Sequence, residues 1–146
     1  MGKKKDQNMD KVCNRLFVGD IVDALDYNLL KRNNITTTLN VSSLIHAYSH
    51  PDIRVLHFPL VDGDGNSEES LSRVVQTLEV LLEDGHTVLC HCFAGQSRSP
   101  TVIACFLARK DPRLTFQDAI SFVRKVRDIA HPNKNLVRLA TKFLNR

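Results

Sequence analysis

Tryptophan is absent from the 146 residues, and tyrosine occurs only twice. Aromatics make up 6% of the chain, so a core must be built from Leu, Val and Ile, which the 42% hydrophobic content allows. No apolar run approaches the roughly 18 residues that a membrane-spanning helix requires. The lysines of the opening MGKKKDQNMDK have no apolar stretch behind them, which excludes a secretory signal there. Asp6 stands where the N-myristoylation pattern wants Ser or Thr. Internal repeats, low-complexity blocks and Pro/Gly/Ser linkers are also missing. The expected compartment is the cytoplasm, with the nucleus as a second. Cysteine is sparse: Cys13, Cys90, Cys92 and Cys105 read as free thiols rather than a disulfide framework. The net charge of +4 fits an anionic partner, or simply solubility. Part of the excess sits in Lys3, Lys4 and Lys5, in a basic tail (1–10) expected to be disordered ahead of one domain (11–146).

The pattern of that domain alternates strands and helices. LFVG (16–19), TTTLNVS (36–42) and IRVLHFP (53–59) read as strands. Residues 20–32 carry helical spacing with Asp20 as N-cap, and VDGDGNSE (61–68) reads as a loop. Leu71, Val74, Val75, Leu78, Leu81 and Leu82 fall on one face of a helix over 68–83, with Gly85 just past its end. TVLCH (87–91) is a continuous apolar strand, buried on both faces. Helices follow at 99–110, with Pro100 in the first turn, at 115–129 and at 133–144. The fold class is therefore α/β: a central, mostly parallel sheet of about four to five strands with helices on both faces.

What stands out is VLCHCFAGQSRSP (88–100). Cys92 closes a buried strand, a short loop follows, and a helix begins near Ser99. A helix N-terminus directs unsatisfied N–H groups and a positive dipole into such a loop, which makes it an anion cradle. Gly95 lets the backbone curl, and Arg98 supplies a planar fork for two oxyanion oxygens. A thiol in that field ionises readily, and a thiolate is a nucleophile. Strand alternation turns His91 away from Cys92, where it can hydrogen-bond the loop from behind. The Ser99 hydroxyl is placed to reach the sulfur as a leaving group. Cys90-His91-Cys92 offers metal-ligand types, but alternation splits them and no second ligand pair lies at zinc spacing, so no metal is expected.

These residues carry a resemblance to the cysteine-based protein phosphatases, specifically the small dual-specificity group. HCFAGQSRS (91–99) matches their His-Cys-x5-Arg-Ser/Thr signature, and RLFVGDIVDA (15–24), ITTTLNVS (35–42), FPLVD (58–62) and VRKVRDIAHPN (123–133) are similar to further family segments. The likeness implies a protein-tyrosine-phosphatase-like fold and a cysteinyl-phosphate intermediate on Cys92. It implies phosphate binding by Arg98 and the amides of Phe93, Ala94, Gly95, Gln96 and Ser97, with Ser99 assisting and no cofactor. Asp62, thirty residues before the nucleophile and matching Pro-x-x-Asp from Pro59, is favoured as the general acid over Asp64. Gly63 and Gly65 suit a loop that swings in with substrate. Arg127 sits where some family members place a cation for a second phosphate or acidic flank, although a solvated helix face is its plainer reading.

Phosphorylated proteins are the expected partners, with phosphotyrosine and phosphoserine/threonine both suitable. FAGQS carries no lysine, which argues against highly anionic lipid heads, and nucleic acid is not expected. Phosphatases of RNA, lipid or sugar on the same scaffold, and a non-catalytic phospho-binding module, remain the alternatives.

Overall fold

The computed structural model describes residues 8–146. Its strands are β1 (Asp10–Cys13), β2 (Leu16–Gly19), β3 (Thr37–Asn40), β4 (Arg54–His57) and β5 (Val88–His91). The helices are α1 (Ile21–Leu25), α2 (Tyr27–Arg32), α3 (Glu68–Glu83), α4 (Arg98–Lys110), α5 (Phe116–Val126) and α6 (Lys134–Leu144), with a short 3-10 turn at Leu44–His46. The strands form one sheet in the order β1-β2-β5-β3-β4. All neighbours are parallel except β1 and β2.

Strand β5 takes the centre because its sequence can be buried on both sides. Val88 and Cys90 join the larger core with α3, α4, α5 and α6, while Leu89 faces a smaller core with Met9, Phe17, Leu30 and Ile53. Each fully buried Leu or Val side chain is worth roughly 1.5–3 kcal/mol of transfer free energy. Helix α3 runs over Glu68–Glu83 as its apolar spacing requires, capped by the Ser67 hydroxyl accepting from the Ser70 amide. It stops before Gly85, which adopts φ +86.

Two expectations need correction. Ordered structure begins earlier than residue 11: Met9 is buried and Asp10 opens β1, which pairs antiparallel with β2. Residues 1–7 lie outside the described residues. The single helix over 20–32 is two helices, because the Asp26 carboxylate accepts from the Leu29 amide and starts α2 afresh. Asp20 does cap α1, in a reciprocal capping box with Asp23.

The parallel strands end together. Gly19, Asn40 and His57 lie in register with one another through His91. The loops after β2, β3, β4 and β5 therefore gather at one edge of the sheet, the carboxyl edge where α/β folds hold ligands.

Candidate active site

The loop 92–97 runs from the end of β5 into the first turn of α4. Its backbone carbonyls are all turned outward by hydrogen bonds. His91 Nδ1 lies 3.2 Å from the Cys92 carbonyl, and the Ile21 amide donates to Phe93 at 3.0 Å. Arg127 donates from Nη2 to Ala94 at 3.4 Å and from Nε to Gly95 at 2.6 Å. The His131 amide donates to Gln96 at 2.6 Å. The Ser97 carbonyl accepts from the Thr101 amide and hydroxyl. A trans peptide sets C=O and the following N–H on opposite sides. Pinning the carbonyls of residues 92–97 outside therefore turns the amides of residues 93–98 inward, a cradle suited to an anion. Gly95 sits at φ +66, and a Cβ there would lie 2.5 Å from both Arg127 Nη2 and the Gly19 carbonyl oxygen.

Cys92 lies at the base of this cradle, 2% exposed. Its Sγ is 3.3 Å from Ser99 Oγ. Burial pushes the thiol pKa up, but the Ser99 hydroxyl and amide, the Arg98 guanidinium and the Gly95 amide together outweigh burial and leave it lowered. The other buried thiols lack such support. Cys105 is pushed up to about 12, by burial, and Cys90 is raised still further. Arg98 donates from Nη1 to the Leu60 carbonyl at 3.2 Å, which aims its fork across the pocket. Its Nε is buried and meets no hydrogen-bond partner among the described residues. A buried guanidinium N–H left unpaired is costly, so this donor is oriented for something that arrives.

The cavity above Cys92 has a volume of about 300 Å³. Phe93, Ala94, Gln96, Ser97 and Arg98 form its base, and Asp62, His131 and Asn133 reach it from two other loops. The Asp62 loop is clamped by Asn66, which donates to the Val61 carbonyl at 2.7 Å and accepts from the Val61 amide at 2.9 Å. Asp64 lines a different depression, with Arg138 and Lys142. Phe93 is half exposed at the rim and stacks on His46, with ring centroids 4.9 Å apart.

His91 is fully buried behind the cradle. Burial pulls its pKa down to about 4, so the ring is neutral at physiological pH. Its Nε2 lies 2.7 Å from the Tyr48 hydroxyl, which lies 2.7 Å from Thr38 Oγ1. The sequence reading found neither Tyr48 nor the wall residues His131 and Asn133. The Asn133 amide donates to Ser97 Oγ at 2.8 Å, tying the start of α6 to the loop.

Arg127 fits neither reading given it, a solvated helix face or a second anion site. It is 2% exposed, paired with Asp10 at 2.9 Å, and also donates to the Asn8 carbonyl at 3.0 Å. A guanidinium spent on those groups and on two loop carbonyls has no face left for a ligand. It is a strut behind the cradle.

Comparison with known proteins agrees with this geometry. Residues 16–145 match the family described as dual specificity phosphatase, catalytic domain. Dual specificity protein phosphatase 1 of Arabidopsis thaliana is 31% identical over 137 residues, which cover 92% of this chain and 68% of that protein. A single-residue variant of human DUSP28 superposes with a TM-score of 0.85 at 26% identity, covering 95% of each chain. A mouse putative dual specificity phosphatase, complexed with zinc tungstate, superposes with a TM-score of 0.84 at 25% identity, covering 99% of this chain and 92% of that one. Sequence and fold thus point to one origin: the chain belongs to the dual specificity phosphatase family and is a protein phosphatase, a hydrolase of the kind that works through a cysteinyl-phosphate.

Proposed function

We propose that this chain hydrolyses phosphotyrosine and phosphoserine/threonine in proteins with the following division of labour. The Cys92 thiolate attacks phosphorus in line with the ester oxygen, and the P–O bond to the leaving alcohol or phenol breaks. Asp62 gives its proton to that oxygen. The inward amides of the loop and the Arg98 fork, including its unpaired Nε, hold the three equatorial oxygens as charge redistributes. Water then attacks the cysteinyl-phosphate, Asp62 takes up its proton, and the P–S bond breaks with the Ser99 hydroxyl donating to the departing sulfur. The bonding electrons return to Cys92, and inorganic phosphate leaves. Asp62 rather than Asp64 is the acid because it lines the Cys92 cavity and Asp64 does not. His91 is the neutral support that fixes the Cys92 carbonyl.

The observation that carries this reading is the pairing of a buried, acidified thiol with an orphaned arginine N–H in one cavity. The test is turnover of para-nitrophenyl phosphate in EDTA. Hydrolysis that vanadate blocks and Cys92→Ser abolishes is expected; an active Cys92→Ser protein, or no turnover at any pH, would remove the assignment. The open rim and a loop without lysine fit a protein phosphomonoester better than a polyphosphorylated lipid head.

A further inference from the structure

Nothing grips the Asp62 carboxylate directly. It is exposed at the mouth of the Cys92 cavity and has no hydrogen-bond partner among the described residues. Its place over the nucleophile is therefore set by the backbone that carries it. Among the described residues, that backbone makes no hydrogen bond to other backbone anywhere over 61–66. The bonds it does make all come from one side chain. Asn66 Nδ2 donates to the Val61 carbonyl at 2.7 Å and, more weakly, to the Gly63 carbonyl at 3.5 Å. Asn66 Oδ1 accepts from the Val61 amide at 2.9 Å. A carboxamide carries a donor and an acceptor side by side, so it satisfies both polar groups of one residue as a neighbouring strand would.

The two ends of the loop are anchored independently. Leu60 is buried in the larger core, its amide donates to the Val41 carbonyl at 3.2 Å, and its carbonyl accepts from Arg98 Nη1 at 3.2 Å. Ser67, at the other end, caps α3. Between these anchors Gly63 and Gly65 leave the chain free to move. Asn66 removes that freedom at Val61, the residue directly before Asp62. The peptide on one side of Val61 is held by the anion fork and the polar groups of Val61 itself by Asn66, so the acid is referenced to the phosphate site through two residues.

We propose that Asn66 is a positioning residue for the proton-donating step: its carboxamide holds the 61–66 loop in the shape that sets the Asp62 carboxyl over Cys92 before substrate arrives. The proposal rests on the reading of Asp62 as the general acid. Asn66 exchanges no proton itself. Asp62 gives its proton to the ester oxygen as the P–O bond breaks, and Asn66 fixes the distance over which that proton moves. Without the clamp the carboxyl is still present, but it spends most of its time away from the leaving group, and only the proton transfer suffers.

The experiment measures kcat/KM, which includes phosphoryl transfer to Cys92 and excludes the later hydrolysis, for dinitrophenyl, para-nitrophenyl and phenyl phosphate. Their leaving phenols are progressively weaker acids, so they need a donated proton progressively more. Asp62→Ala is expected to lose little on the first and about 10²–10⁴-fold on the last. Asn66→Ala should follow the same slope at smaller size, within about twofold of the unmutated protein on dinitrophenyl phosphate and about 10–10²-fold down on phenyl phosphate. Asn66 belongs to neither core, so the variant folds. Inhibition by tungstate, which needs the cradle and Arg98 but no acid, should stay within about twofold. In the Asp62→Ala background Asn66→Ala should cost nothing further. An equal loss on all three substrates, weakened tungstate inhibition or a further loss without Asp62 would mean that Asn66 supports the cradle or the fold, and would overturn the proposal, as would no loss at all. A steep Asn66→Ala series beside a flat Asp62→Ala series sinks the Asp62 assignment and leaves the clamp holding another donor of the same loop. Two flat series remove both.

Discussion

Arg127 controls the cradle from outside it, so its replacement separates fold stability from catalysis. Arg127→Lys keeps a cation beside Asp10 but loses the fork that reaches Gly95 and Ala94. The 2.6 Å bond to Gly95 is short and counts in full; the 3.4 Å bond to Ala94 adds little. Losing one strong charge-assisted bond and one weak one costs about 2–3 kcal/mol. A domain stable by roughly 5–15 kcal/mol stays folded after that loss. Catalysis should suffer more. With the Gly95 carbonyl released, the 95–96 peptide can turn, and the Gln96 amide leaves the anion site. One oxyanion donor is worth on the order of 10²–10³ in kcat. Arg127→Met goes further and leaves the buried Asp10 carboxylate without its guanidinium, a loss of about 3–5 kcal/mol. Combining it with Asp10→Asn removes that charge and should restore most of the melting temperature while leaving kcat low. The assay is kcat for para-nitrophenyl phosphate well below each variant's melting transition, with thermal melts beside it. If Arg127→Lys turns over at the unmutated rate, or the double variant recovers rate together with stability, other bonds hold the cradle and the reasoning is wrong.

Gly95→Ala should be worse than any helix-interior alanine. It demands φ +66 from a residue with a Cβ and sets that carbon 2.5 Å from the Gly19 carbonyl, so activity should drop at least 10²-fold even where the protein still melts cooperatively. Asp62→Ala should lower kcat about 10²–10⁴-fold and flatten the alkaline limb of the pH profile, because that limb reports loss of the proton the acid must donate. Asp64→Ala should change neither, and the reverse result would move the acid to Asp64. The lowered Cys92 pKa means its thiolate fraction at neutral pH exceeds that of free cysteine. Iodoacetamide labelling of Cys92 should therefore titrate at lower pH than that of free cysteine, and Ser99→Ala should shift that titration upward. Peroxide should inactivate the enzyme reversibly by reductant. A labelling rate that tracks free cysteine would contradict the field drawn here.

The chemistry was more legible in the chain than its scaffolding. HCFAGQSRS carries the proposed nucleophile, the proposed anion fork and their strand–loop–helix setting within nine residues, because each of these is local to that turn. Helix α3 was equally plain, since six apolar residues at helical spacing admit one burial face. Strand β1 was not, because a four-residue edge strand starting with a buried Asp carries no period-two signal. The break at Asp26 was hidden by helical spacing that continues across it; only the side chain's bond to the Leu29 amide decides the matter. Asp62 and Asp64 were separable by spacing alone only as a preference, and their different cavities now separate them in space.

Arg127 shows where a local reading fails and why. Its charge is visible in the sequence and its burial is not, so the sequence offers a solvated helix face or an anion site and hides the carbonyls it holds. The other outward pins are harder still to see. Ile21 and His131 act through backbone N–H groups, which every residue but proline possesses, and they lie far along the chain from the loop they restrain. No residue preference marks such a position. The acidity of Cys92 therefore depends on two kinds of information. The loop sequence supplies the dipoles, and the packing of α1, α5 and the α5–α6 connection decides which way those dipoles point. Substitutions that disturb that packing should raise the Cys92 pKa without touching the signature residues, which makes the thiol's titration a reporter for the outer layer as a whole.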